Sequence, residues 1–448
     1  MDKDGADVES GRGPSKVPYW KLILDQGVVT PEVVKWEYDG AGTEEDPYVV
    51  TFIDNDFRNP QQFSKGKKWF YTFTMAFAVL AVSLCSSAFS GGIRQIIIEF
   101  GVSQEVVTLG LSLFVLGFAL GPLFFAPMSE LYGRQIIFVT TYGLLTVFLA
   151  GCAGAQNIQT LLILRFFAGT FGSSPLTNAG GVIADMFNAA ERGLATSLFA
   201  VAPFLGPVIG PIIGGFLGEA EGWRWVQGFL AIFAGSLWIF ASLVVPETYP
   251  PVLLRKRAQT LSKMTGKVYR SKTDIDQGKV SVLEAYTTAL SRPWILLFRE
   301  PIVLILSIYV AIVYGTLYML FGAYPVVYQE GRGWSEGIGG LAFIPVAIGM
   351  VIAVSYSIFF DNPMYIKKAK AGGGFAPPEA RLPVAMIGGI ALPIALFWFA
   401  WTNSPKIHWL ASMAAGVPFG FGMVLVFLGI MNYLIGMSTS SSPTLLNR

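Results

Sequence analysis

Apolar stretches of about 17–26 residues, nearly free of charge, recur from Trp69 to about Ile435 with short polar loops between them. A helix needs about 20 apolar residues to cross a bilayer's hydrocarbon core. The pattern predicts spans over 69–92, 105–126, 136–153, 158–180, 193–217, 226–246, 301–324, 338–360, 383–402 and 409–435. The expected fold is all-α, a polytopic membrane bundle of about ten helices. Residues 1–68 are polar and rich in Asp, Glu, Gly and Lys, and are expected to be a largely disordered tail. A six-helix bundle then fills 69–246, a long connection 247–300, a four-span bundle 301–436 and a polar tail 437–448.

Composition agrees: 53% of residues are hydrophobic and only 13% charged, too apolar for a water-soluble chain of 448 residues. A net charge of +2 points to no nucleic-acid partner. Cys85 and Cys152 both fall inside spans, so no disulfide framework is expected, and the opening residues do not read as a cleavable signal. Lysines and arginines cluster on one set of loops: Lys65, Lys67 and Lys68; Arg255, Lys256 and Arg257; Lys367, Lys368 and Lys370. The opposite loops hold Arg94, Arg224, Arg332 and Lys406, one each. By the positive-inside rule the N-terminus and the long connection are cytoplasmic. Within that connection, 255–280 reads as basic and flexible. Val282, Leu283, Tyr286 and Leu290 have helical spacing, either on the inner membrane surface or in an ordinary linker helix.

Several strings carry more than hydropathy. After span two comes GPLFFAPMSELYGR: Gly121 and Pro122 close the helix, Gly133 permits a tight turn, and Glu130 and Arg134 sit at the membrane edge. Arg165, in LLILRFFAGTFGSSP, is the one ionisable residue well inside a span and should face a cavity or a partner, the alternative being a structural arginine that snorkels outward or binds carbonyls. Asp185 and Arg192 flank the next loop. Span five reads VAPFLGPVIGPIIGG, with Pro203, Pro207 and Pro211 every fourth residue beside Gly206, Gly210 and Gly214, and then Gly215. The glycines make a ridge for close helix approach, and the prolines favour a bend.

These strings resemble the major facilitator superfamily: its loop 2–3 signature (with Glu130 where Asp is usual), its span-four Arg-x-x-x-Gly pattern (Arg165 and Gly169) and its span-five antiporter motif. PETYPPVLLRKRA (246–258), Trp223-Arg224-Trp225, SIYVAIVYGTLYMLFGAYPVVY and PPEARLP (377–383) resemble the fungal drug:proton antiporters, nearest to polyamine and multidrug exporters. The resemblance covers about 60–435. It implies two six-helix halves that rock around a central site and export small organic molecules against protons, with Arg165 in coupling. Glu130, Arg134 and Asp185 should form one cytoplasmic charge cluster, with Arg192 nearby.

Tyr314, Tyr318 and Phe321 share a face of span seven, with Tyr324 one turn on, and suit cationic or amphipathic substrates; a packing stripe is the alternative. Ser83, Ser86, Ser87 and Ser90 give span one a polar side toward the same cavity. No Asp or Glu lies near the middle of a span. His408, at the outer start of span ten, is not expected to relay protons. No Walker-type loop, metal cluster or nucleophile points to an enzyme or a cofactor. The expected partners are a drug-like, polyamine or other cationic substrate, protons and the bilayer. The expected state is a monomer in the plasma membrane, with the vacuolar membrane as the alternative. An uncoupled facilitator or importer stays open within the fold, and a non-transporting interaction protein outside it. The resembling family has twelve spans. Here the string changes after Gly436 to MSTSSSPTLLNR, so truncation through a shifted frame or missed intron is expected, against a true ten-span protein.

Overall fold

The structure is a computed structural model that describes residues 17–276, 278, 281–372 and 376–440. The first sixteen residues of the tail and residues 441–448 lie outside the described residues. Nine stretches of helix among the described residues are long and apolar enough to cross a membrane. Span one is Lys65–Phe100, two Gln104–Tyr132, three Arg134–Ala153, five Glu191–Glu221, six Trp223–Val244, seven Pro301–Glu330, eight Glu336–Ala371, nine Pro378–Thr402 and ten Trp409–Met437.

Span four makes the remaining crossing and is broken, Ile158–Gly172 then Ser174–Met186. Pro175 causes the break. It has no N–H, and its ring opposes the carbonyl four residues back. The Ser173 hydroxyl covers part of the gap by donating to the Thr170 carbonyl at 2.8 Å.

Span two departs from expectation the other way. Gly121 and Pro122 do not end it; the helix runs through Pro122 and Pro127 to Tyr132, and Gly133 alone makes the turn, at φ +106°. Prolines persist in such helices where neighbours support the freed backbone. Here Gly121 seats against Thr170 and Ser173 of span four.

Residues 17–64 are not a disordered tail, nor is 255–276 a flexible loop. Helices Tyr19–Leu24 and Pro31–Lys35, strand β1 (Tyr48–Val50), the linker helix Pro250–Thr265 and strand β2 (Tyr269–Ser271) form one small unit. The strands pair in parallel, Tyr48 beside Tyr269. Val33, Tyr38, Val50, Leu254, Ala258 and Leu261 make its core. Inside it, Arg257 forks onto the Asp56 carboxylate (2.5 and 3.0 Å) with both side chains buried. A surface helix, Val282–Arg299, follows with a Ser281/Glu284 capping box, leaving Leu283, Trp294 and Phe298 exposed.

Candidate transport site and its seams

Among the described residues Arg165 has no carboxylate partner. Its Nε donates to the Gly110 carbonyl at 3.0 Å, Nη1 to Cys85 O at 2.9 Å and Nη2 to Ser86 O at 3.1 Å. Phe89 and Phe114 cover the guanidinium at 4.5 and 4.6 Å. The cause lies in span one. Its α-helix ends at Ser87 and a 3-10 turn, Ala88–Gly92, follows. Helix ends leave carbonyls without an intrahelical donor. Two of those carbonyls are taken by Arg165 from span four, so the arginine caps a bend in another helix. A fully buried charge is tolerated because three carbonyl dipoles and two ring faces replace its water.

The same bend carries the central contact between the halves. Ser86 Oγ lies 2.9 Å from Tyr318 Oη of span seven and also reaches the Ser83 carbonyl at 2.6 Å. Ser83, Ser86, Phe114, Phe118, Tyr314 and Tyr318 line a nearly closed cavity of about 10 Å³. A second of similar volume lies between Phe204, Tyr314 and Phe427. Phe204 of span five touches both Tyr314 (5.8 Å) and Phe427 of span ten (4.6 Å), so aromatic rings close the centre.

Of the aromatic stripe, Tyr314 and Tyr318 line this space, and Phe321 packs between Tyr318 and Phe343. Tyr324 instead stacks on Phe343 and Phe399 in the interior of the second half. Ser87 and Ser90 are not among the lining residues: Ser87 lies under Gly210, and Ser90 sits half-buried in the 3-10 turn. Phe114, Phe118, Phe204 and Phe427 escape a sequence reading, because one more phenylalanine in an apolar span carries no distinguishing signal.

Span five forms two seams at once. A Cβ on Gly206 would stand 2.6 Å from Leu80 O, and one on Gly210 2.8 Å from Ala88 N, both in span one. Gly214 lies equally close to Ala88. Toward the other half, a Cβ on Gly215 would stand 2.5 Å from Glu336 O, and Gly340 of span eight packs on the Pro211 carbonyl. Pro203 opens the second part of the span; Pro207 and Pro211 lie within it. At its C-terminal end the Glu219 carboxylate accepts the Gly337 N–H at 3.0 Å, tying span five to span eight.

On the opposite face, Arg134 Nε pairs with Asp185 at 3.2 Å, its Nη1 donates to Ser129 Oγ at 3.0 Å and its guanidinium covers the Tyr249 ring at 4.8 Å. Burial raises the Tyr249 phenol above its usual range. Glu130 is exposed, and no hydrogen bond or ion pair joins it to Arg134 or Asp185 among the described residues. Its expected place is held by Glu247. That fully buried carboxylate accepts the backbone N–H groups of Arg134 (3.0 Å), Gln135 (3.1 Å), Thr248 (2.9 Å) and Tyr249 (2.9 Å), and Gln26 Nε2 at 3.2 Å. It caps the orphan donors that start span three. Arg192 caps the preceding helix, donating to the Ala184 carbonyl at 3.0 Å. Glu247 stands in the PETYP string; an acid next to proline at a span's end was its one visible signal.

A family profile described as Major Facilitator Superfamily matches residues 75–442. The "MFS-type efflux pump MFS2" of Trichophyton rubrum is 65% identical over 433 residues, which cover 97% of this chain and 73% of that protein. The "Major facilitator superfamily multidrug transporter mdrA" of Aspergillus fumigatus is 62% identical, covering 97% and 71%. The solved proton:xylose symporter XylE aligns with a TM-score of 0.60 over 84% of this chain and 82% of its own, at 16% identity; that likeness concerns the fold.

Proposed function

The chain belongs to the Major Facilitator Superfamily, a family of multi-pass secondary active transporters, and from that premise we propose that it exports small organic molecules against a proton gradient by alternating access. The observation that carries the reading is the double seam of span five. Its glycines lock it to span one of the same half, while Pro211 and Gly215 meet span eight of the other half. A helix so placed transmits a rocking motion between halves. The printed names of the relatives, efflux pump and multidrug transporter, support the outward direction.

In this reading Tyr314, Tyr318 and Phe321 receive a cationic or amphipathic substrate, drug-like or polyamine, through ring faces. Arg165 couples by holding or releasing the span-one bend that presents Ser86. Arg134 and Asp185 act as the cytoplasmic latch, with Gly121, Gly133 and Arg192 shaping it and Glu130 at its exposed edge. Loop charge supports a cytoplasmic N-terminus, in a monomer of the plasma membrane.

The test is flux of a cationic dye and of a labelled polyamine in reconstituted vesicles with an imposed proton gradient. Export that collapses with a protonophore is expected. Gradient-independent flux overturns coupling, uptake alone overturns direction, and no flux of any substrate leaves the interaction-protein reading in its place.

A further inference from the structure

A cleft of about 660 Å³ opens where the small unit built from 17–64 and 250–276 overhangs spans three and six. One wall is bundle surface: Ile136 and Val139 of span three and Leu243 of span six, with Leu243 64% exposed. The apolar window of span six is only 33% buried inside the protein, so this wall faces lipid. The facing wall is the linker helix. Lys256, Gln259, Thr260 and Lys263 recur at i, i+3, i+4 and i+7 and share one face, which lines the cleft. The helix's other face, Leu254, Arg257, Ala258 and Leu261, is buried in the unit's core. Neither lysine belongs to an ion pair among the described residues.

The third wall, Ile23–Gly27, is fixed in place. Arg58 donates to the carbonyls of Leu22 (2.8 Å) and Asp25 (3.0 Å), and Gln135 Nε2 to Ile23 O at 3.0 Å. The Asp25 carboxylate lines the cleft too, but its Oδ1 accepts the Gly27 N–H at 2.9 Å. Ser242 Oγ, buried at the edge of span six, has no hydrogen-bond partner among the described residues.

We propose that this cleft binds an anionic phospholipid. Its acyl chains lie along spans three and six, and its phosphate and anionic headgroup sit beneath Lys256 and Lys263, beside Gln259 and Thr260. An apolar, lipid-facing wall beneath two unpaired ammonium groups is complementary to such a lipid. A zwitterionic lipid offers a phosphate but brings its own cation beside the two ammonium groups, and a free soluble anion would leave the apolar wall unused. The proposal rests on the membrane placement of the bundle and on no statement about direction, coupling or leaflet.

The test is native mass spectrometry of the full chain exchanged into detergent with defined phosphatidylcholine and phosphatidylserine. Wild type is expected to retain phosphatidylserine in preference. Lys256→Gln with Lys263→Gln should weaken that retention roughly thirtyfold, two charges acting together. Lys367→Gln with Lys370→Gln, equal in charge change but on the other half, should leave it intact. Equal retention of the two lipids by wild type, or equal loss in both double variants, overturns the site. Displacement by millimolar inorganic phosphate overturns the lipid in favour of a soluble anion. Both lipids reach every face of the protein in this assay, so its outcome is independent of topology and transport. Monodisperse elution of each variant shows that the lysine changes have not unfolded it.

Discussion

The hydroxyls of Ser86 and Tyr318 meet at 2.9 Å across the centre of the bundle, one from each half. The carbonyl of the same Ser86 is held by Arg165. One residue thus faces both the buried charge and the seam that must open. A single hydrogen bond of this kind contributes about 1 kcal/mol net. Tyr318→Phe and Ser86→Ala should therefore each lower thermal stability slightly, and a double-mutant cycle should show a coupling of about 0.5–1.5 kcal/mol. Additive effects would show that the contact carries no energy.

Arg165→Lys is expected to fail almost as completely as Arg165→Ala. An ammonium cannot span three carbonyls fixed in the fork of a guanidinium. Both should lose at least about 2 kcal/mol of stability, since buried carbonyls lose their donors, and both should lose transport. Membrane level and melting temperature, measured beside flux, separate a structural loss from a coupling loss. A lysine variant with normal melting and normal flux would contradict the capping account.

At Gly210 even a methyl group has no room, with Ala88 N at 2.8 Å and Leu84 O at 3.1 Å from the added carbon. Gly210→Leu should abolish assembly, and Gly210→Ala should cost about 1–3 kcal/mol. Leu144→Ile, on an exposed stretch of span three, should be near neutral. Detergent-resistant folded fraction after heating is the readout. Similar behaviour of the three would show that span five is not a tight interface.

The Arg134–Asp185 pair predicts a selective rescue. Arg134→Glu should be partly restored by Asp185→Arg, because those groups pair at 3.2 Å, and not by Glu130→Arg. Glu247→Ala should be more damaging than Glu130→Ala, since it strips four backbone N–H groups of their acceptor. Flux and membrane level of the five variants decide it. Rescue through Glu130 would move the latch outward.

The crossings were legible because hydrocarbon thickness imposes a length that polar loops interrupt. The shape of each crossing was not. Pro175 breaks span four, whereas Pro122 and Pro127 leave span two intact, so the presence of a proline alone does not fix the shape of a span. Arg165 was legible as a solitary charge, but its partners are backbone carbonyls, which every residue type carries. Glu130 drew attention by its place in a known string, while Glu247 does the capping from a segment over a hundred residues away. The small unit around Val33 and Leu261 was hidden because its core is a handful of apolar residues drawn from two distant polar stretches.

Asp56→Ala should leave Arg257 charged, buried and unpaired, a change that typically costs about 3–5 kcal/mol. Limited proteolysis should then cut within 17–64 and 250–276 while the spans stay protected. Unchanged cleavage would show that the ion pair does not hold the unit together.

Asp56 and Arg257 are 201 residues apart. A ribosome adding about 5–20 residues per second needs roughly 10–40 s to make the second after the first. The early segment cannot reach its final place until all six spans of the first half have been threaded into the membrane. Closure of the unit therefore reports that the first half has been made and threaded. A nascent chain stalled before Arg257 must expose Val33, Tyr38 and Val50 to whatever chaperone or protease attends the translocon.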